Sequence, residues 1–130
     1  MPAAYVDTSW LLGIAFGESG MRRLIARLDS FAPLVAANLL QAEFSAAHRR
    51  ESRPVDPSLL ARLRWIYPER ALESEIARVL EHGYLRGADC WHLAVALYFA
   101  EAPASLTFLT LDANQQRTAA ALGFRTEGRR

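Results

Sequence analysis

The stretch Ala3-Ala4-Tyr5-Val6-Asp7-Thr8-Ser9-Trp10 decides the fold class. Four apolar residues in a row, with no polar alternation, describe a strand covered on both faces. Asp7-Thr8-Ser9 then ends the run with residues that favour helix starts, and Trp10, Leu11, Ile14 and Ala15 follow at helical spacing. A buried strand feeding directly into a helix is the opening unit of a parallel α/β sheet. Working outward, Gly17 to Gly20 breaks the first helix, and Met21, Leu24, Ile25 and Leu28 mark one face of a second. Phe31 to Ala37 predicts another buried strand. Asn38, with Gln41 three positions on, suggests a capping box opening a helix that carries Leu39, Leu40, Glu43 and Phe44. That helix dissolves in the polar run from Arg49 to Pro57, which is too short to separate two domains. Pro57 suits the first turn of a further helix with Leu59, Leu60 and Leu63 inward.

The second half repeats the alternation. A third strand is expected within Trp65 to Leu72, and a helix over Ser74 to Gly83. A helix from about Asp89 to Ala100 is apolar nearly all round and belongs in the interior. Leu106 to Leu111 predicts a strand, Asp112 caps a helix reaching Leu122, Gly123 ends it, and Phe124 to Thr126 supplies a short edge strand. Arg129 and Arg130 are expected as a terminal tail. Alternating strands and helices imply one α/β domain over residues 1–130, a parallel sheet with helices on both faces.

Composition agrees and removes several function classes. At 130 residues and 52% hydrophobic content the chain can bury a core and is no disordered segment. Its longest apolar runs, such as Leu93 to Ala100, fall far short of the ~20 residues of a membrane span. No basic-apolar-small segment opens the chain, so no signal peptide is expected. Cys90 is the single cysteine, which excludes an internal disulfide and fits the cytoplasm. A net charge of +1 indicates no strongly charged partner. All 15 basic side chains are nonetheless arginine, the side chain whose planar fork suits phosphate; GC-rich codons are the favoured explanation for the absence of lysine, with phosphate binding a further use of some arginines.

Sites in open parallel sheets lie beyond the carboxyl ends of the strands. Asp7 and Asp112 stand at such ends, Glu43 lies about one helical turn after the second strand, and Asp89 begins the buried helix. Clustered carboxylates oppose one another's ionisation, and a divalent cation relieves that repulsion. Magnesium and manganese prefer oxygen ligands, and either can activate water against a phosphodiester. Each acid has a structural alternative. Asp7 and Asp112 are also good N-caps, Glu43 could sit on an exposed helix face, and Asp89 could cap its helix. Among the apolar neighbours of its helix, an unpaired Asp89 charge would be costly.

Four segments carry a family resemblance. Tyr5-Val6-Asp7-Thr8-Ser9 resembles the opening strand motif of PIN domains, and Asn38-Leu39-Leu40-Gln41-Ala42-Glu43 the helix bearing their second acid. Ala88-Asp89-Cys90-Trp91-His92-Leu93-Ala94-Val95-Ala96 resembles the third motif, and Leu109-Thr110-Leu111-Asp112 the fourth. The four occur in order across essentially the whole chain, which looks like the VapC-type ribonuclease toxins of that family. The resemblance implies a three-layer α/β/α fold and Mg2+- or Mn2+-dependent endonuclease action on RNA, tRNA or other structured RNA included. It also implies a homodimer neutralised by a small antitoxin that inserts a helix and a tail into the toxin's groove. Carried across, the metal-site acids are Asp7, Glu43, Asp89 and Asp112, with Ser9 and Thr110 as supporting hydroxyls. A catalytically inactive PIN-like protein-binding module, and a metal-dependent phosphoesterase acting on DNA or nucleotides, are the alternatives. A nucleotide-binding α/β protein lacks support, because no glycine-rich phosphate loop follows the first strand.

The remaining polar candidates divide by position. Arg86, three residues before Asp89, and Arg117, after Asp112, are candidate RNA contacts. Arg49, Arg50 and Arg53 sit at a helix end, where cations favour the helix dipole. His48, His82 and His92 are scattered without zinc-ligand spacing. His92, one turn from Asp89, could orient that acid or touch RNA, but a core or partly buried polar histidine is the favoured reading, and Cys90 reads as a small buried residue rather than a nucleophile.

Overall fold

A strand that is apolar on both faces is stable only where helices cover both sides of its sheet, and the chain arranges itself accordingly. The computed structural model describes residues 1–127; Arg129 and Arg130 lie outside the described residues. Strands β1 (Ala3–Val6), β2 (Leu34–Ala37), β3 (Leu63–Ile66), β4 (Leu106–Leu109) and β5 (Arg125–Thr126) form one sheet in the order β3-β2-β1-β4-β5. Every pairing is parallel, with Tyr5 opposite Val35 on one side and Phe108 on the other.

The side chains of β1 divide between two cores. Ala4 and Val6 join Leu34 and Ala36 on one face, covered by α1 (Thr8–Ala15), α2 (Met21–Leu28) and α3 (Leu39–Arg50) through Trp10, Leu11, Leu24, Leu28, Leu40 and Phe44. Tyr5, Val35, Ala37 and Phe108 point the other way, against α5 (Glu73–Leu80), α6 (Gly87–Phe99) and α7 (Ala113–Leu122) through Val79, Leu93, Val95, Ala119 and Leu122. This is the three-layer α/β/α arrangement that the alternating pattern predicts. No helix of the described residues is long and apolar enough to cross a membrane.

Several local expectations need correction. The third strand is Leu63–Ile66, not a segment within Trp65 to Leu72. Its four residues pair one for one with Leu34–Ala37, and Pro68, lacking an N–H, cannot extend the ladder. Leu63 is therefore a strand residue, and the helix before it, α4 (Pro57–Leu60), is a single turn. The second strand begins at Leu34 rather than Phe31. Asn38 makes no side-chain capping bond; its backbone is already helical, so strand passes to helix without a box. The buried helix opens at Gly87 with Arg86 as N-cap, which places Asp89 inside the first turn rather than at the cap. Gly123 ends α7 as expected, in the left-handed conformation at φ 104° that a side chain would strain.

Leu93 is fully buried where α6 meets the sheet. Leu93→Ala is expected to lower unfolding free energy by about 2–5 kcal/mol in chemical denaturation, the range for a core leucine truncation. A loss under about 1 kcal/mol would show that this layer repacks without cost.

Candidate active site

The strand order changes direction at β1, so the carboxyl ends of β1 and β4 open a crevice between their following connections. The backbone of Asp7 continues the ladder, its N–H donating to Leu109 O at 2.9 Å. Asp7 and Asp112 are thereby placed at neighbouring strand ends. Both are also true N-caps: Asp7 accepts from Ser9 N at 3.0 Å at the start of α1, and Asp112 from Gln115 N at 2.8 Å at the start of α7. The capping role and the site position are therefore not alternatives. A helix N-terminus favours negative charge, so each cap stabilises a carboxylate where the crevice opens.

A pocket of about 560 Å³ is lined by Asp7, Glu43, Asp89 and Asp112, together with Thr8, Ser9 and Arg50. All four acids singled out in the sequence thus face one space. Their surroundings differ. Asp7 is buried and fully engaged: Ser9 Oγ donates to its Oδ2 at 2.6 Å and Gln115 Nε2 to its Oδ1 at 3.1 Å. Ser9 Oγ also accepts from Leu111 N at 3.0 Å, tying the β1 and β4 ends together. Thr110 lies 3.4 Å from Asp7 Oδ2, donates to Gln115 Oε1 at 2.6 Å and accepts from Asp112 N at 3.1 Å. Ser9 and Thr110 thus both reach Asp7 Oδ2, and Thr110 also holds the backbone of Asp112.

Glu43 is held from the opposite side. Its Oε1 receives Thr8 Oγ1 at 2.7 Å and lies 2.7 Å from His92 Nε2. His92 is buried, with Nδ1 2.6 Å from the Tyr5 hydroxyl, which in turn accepts from Ala37 N at 3.1 Å. In the neutral ring, Tyr5 donates to Nδ1 and leaves the proton on Nε2, facing Glu43. His92 is the buried polar histidine that the sequence favours; of the lesser option, orienting a carboxylate, the partner is Glu43 rather than Asp89, with Asp7 at 3.8 Å. Helix geometry points His92 inward from α6 toward β1 and α3, whereas Asp89, in the first turn of that helix, lines the pocket.

The charges at this site influence one another. Burial raises the Asp89 pKa above its ordinary value, and the charges of Asp7, Asp112 and Glu43 raise it further, against a smaller lowering by His92. Burial also works against ionised Glu43, but the hydrogen bonds from His92 and Thr8 outweigh it and hold this carboxyl below its ordinary value. For His92, burial opposes protonation, and the bond to Glu43 with the charges of Asp7, Glu43 and Asp89 prevails, raising its pKa. Buried Tyr5 keeps its proton well above the ordinary tyrosine range. The Cys90 thiol is pushed up by burial, as suits a packed residue rather than a nucleophile.

In kind, the four carboxylates suit a hard divalent cation such as Mg2+ or Mn2+. In position they are not drawn together: among the described residues no three carboxylate, imidazole or thiol side chains form a group able to hold one ion. Both oxygens of Asp7 are already engaged by Ser9 and Gln115, and like charges in this space repel one another. The donor set fits the ion, and the repulsion within it is what a cation would relieve.

The arginines fall differently from expectation. Arg86 borders Asp89 and Asp112 in an adjoining pocket. Arg117 is exposed, bonds Asn114 on its own helix and lines none of the described acid pockets. Arg50, expected only to serve the dipole of its helix, lines the acid pocket itself, because α3 runs Glu43 and Arg50 along one face two turns apart. Gln115 was not singled out in the sequence. It is fully buried and links Asp7 with the Asp89 carbonyl, to which Nε2 donates at 3.2 Å. Its signal was a glutamine on the face that Ala119 and Leu122 make the buried side of α7. Thr8, hidden between two more conspicuous residues, fixes Glu43.

A parallel three-layer sheet with acids gathered at the carboxyl ends of its central strands is the frame of a metal-dependent nuclease. A family model for the PIN domain matches residues 4–121, and the chain belongs to that family. PIN domains are typically magnesium- or manganese-dependent nucleases, which supports a hydrolase of this general kind. No curated protein matches the chain.

Two stability measurements probe this site. Tyr5→Phe strips partners from two buried groups, His92 Nδ1 and Ala37 N, and is expected to cost about 1–3 kcal/mol in denaturant unfolding. A neutral result would mean that the network is not bonded as described. Asp89→Asn is expected to raise the melting temperature of the metal-free protein at neutral pH. A carboxyl whose folded pKa is raised destabilises the fold once ionised, so the gain is present above that raised pKa. It disappears as pH falls below the ordinary value of 3.8, where wild-type Asp89 is protonated in both states. A variant less stable than wild type at neutral pH would contradict the repulsion.

Proposed function

We propose that the chain is a Mg2+- or Mn2+-dependent endoribonuclease that acts in the cytoplasm as the toxin of a toxin–antitoxin pair. The observation that carries the nuclease part is the single pocket shared by Asp7, Glu43, Asp89 and Asp112 in a PIN domain. In this reading those four side chains hold the ion. When bound there, it supplies activation of water and neutralisation of charge on the leaving oxygen of a phosphodiester.

The chain's own residues prepare that chemistry. Ser9 and Gln115 fix both oxygens of Asp7, so its orientation is set before any ligand arrives. Thr8 and His92 converge on one oxygen of Glu43, leaving its other oxygen without a recorded partner among the described residues. Arg50 in this pocket, and Arg86 in the adjoining depression that shares Asp89 and Asp112, suit the phosphates that flank a scissile bond. RNA as substrate, a homodimeric assembly and a neutralising antitoxin follow from the likeness of the four motifs to VapC-type toxins. The pocket opens beyond the carboxyl ends of the central strands β1 and β4, which leaves room for a partner segment laid across it.

The test is digestion of total cellular RNA, tRNA and single-stranded DNA by purified, partner-free protein in magnesium, manganese or chelator. Discrete RNA fragments are expected that require metal and fall by about 100-fold or more with Asp89→Asn. Equal cutting by Asp89→Asn would sink the assignment of the site. Preference for DNA would move the chain to a different phosphodiesterase, and inactivity of folded protein on every substrate would favour a binding module.

A further inference from the structure

Beside the acid pocket lies a second depression of about 360 Å³, lined by Tyr84, Leu85, Arg86, Asp89, Asp112 and Asn114. Asp89 and Asp112 belong to both, so the two spaces adjoin at those acids. Tyr84 stands 84% exposed on the connection between α5 and α6. A ring so exposed contributes little to the core, and its face is available to another flat group. Two residues on, Arg86 lines the same depression beside Asp89 and Asp112 yet forms no ion pair with a carboxylate among the described residues, so its guanidinium is open to another acceptor. An aromatic face and an unpaired guanidinium at the border of a phosphodiester site match the two ends of a nucleotide. The ring suits a base and the fork suits its phosphate. Only an unpaired base can present its face to a side chain in this way.

We propose that this depression is a nucleotide subsite in which Tyr84 stacks an unpaired base of a single-stranded RNA segment and Arg86 holds that nucleotide's phosphate. The inference rests on the ribonuclease reading of the acid pocket, and adds to it where the strand lies and that the target is unpaired there. Stacking tolerates any base, so a homopolymer serves as the probe.

The experiment measures anisotropy of labelled, short oligoadenylate with the full chain, calcium replacing magnesium. Tyr84→Ala is expected to weaken binding about 10-fold, the scale of one base–aromatic stack, and Tyr84→Phe to bind as wild type does. Arg86→Ala is expected to weaken binding and to flatten its dependence on salt. On an abasic strand of the same length, wild type and Tyr84→Ala should bind alike. Unchanged affinity of Tyr84→Ala for oligoadenylate would overturn the proposal. So would a loss in Tyr84→Phe equal to that in Tyr84→Ala, which would assign the effect to the hydroxyl, or an equal loss on the abasic strand. Cleavage in magnesium, run in parallel, separates the two readings. Cleavage that ignores Tyr84, with binding that ignores it too, removes the subsite and leaves the nuclease. Tyr84-dependent binding without cleavage removes the nuclease and leaves the subsite.

Discussion

Carboxylates brought to the carboxyl end of one sheet repel one another, and much of this structure is arranged around that cost. The fold offsets it locally rather than by pairing the acids with arginines. Asp7 and Asp112 each sit on a helix N-terminus, where backbone N–H groups face them. Asp7 also draws Ser9 and Gln115, and Glu43 draws Thr8 and His92. Asp89 has the least such support, and its pKa is raised first by burial and then by the charges of Asp7, Asp112 and Glu43. A site under this tension, opening to solvent, is poised to take up positive charge.

The supporting bonds also knit the layers. Tyr5 reaches from β1 to His92 on α6 and to the Ala37 backbone on β2, so its hydroxyl joins the sheet to the helix that presents Asp89. Ser9 and Thr110 connect the ends of β1 and β4, and Gln115 extends that link from Asp7 to the Asp89 carbonyl. Site geometry and core packing are consequently one problem. The acids are oriented by groups that are themselves immobilised by burial, which is how a site is held ready before its ligand binds.

Where the sequence was legible, it was so because one residue satisfied local and global demands together. Asp7 directly follows an apolar strand and Asp112 stands three residues past the end of another, and both cap helices, so strand end, cap and site position fall close together in the chain. Leu93 to Ala96 are buried from every side, and their unbroken apolar run announced it. Where the sequence misled, tertiary pairing decided. The bounds of β3 follow from the four residues that β2 offers, which no property of Leu63 to Leu72 reveals by itself. Asn38 had the composition of a cap, but β2 delivers it with a helical backbone. Arg50 and Gln115 carry ordinary helix-surface chemistry, and only the direction of α3 and α7 against the sheet turns them toward the acids. Histidine 92 was legible as a polar residue in an apolar helix; that it serves Glu43 required the fold.

The central claim is that the acids gathered at the ends of β1 and β4 receive a divalent cation. Calorimetric titration of manganese into the metal-free protein, beside Asp7→Asn, tests it most directly. The account predicts saturable binding in wild type that is lost or strongly weakened in a folded variant. Wild type without binding, or Asp7→Asn binding as tightly as wild type, would contradict it.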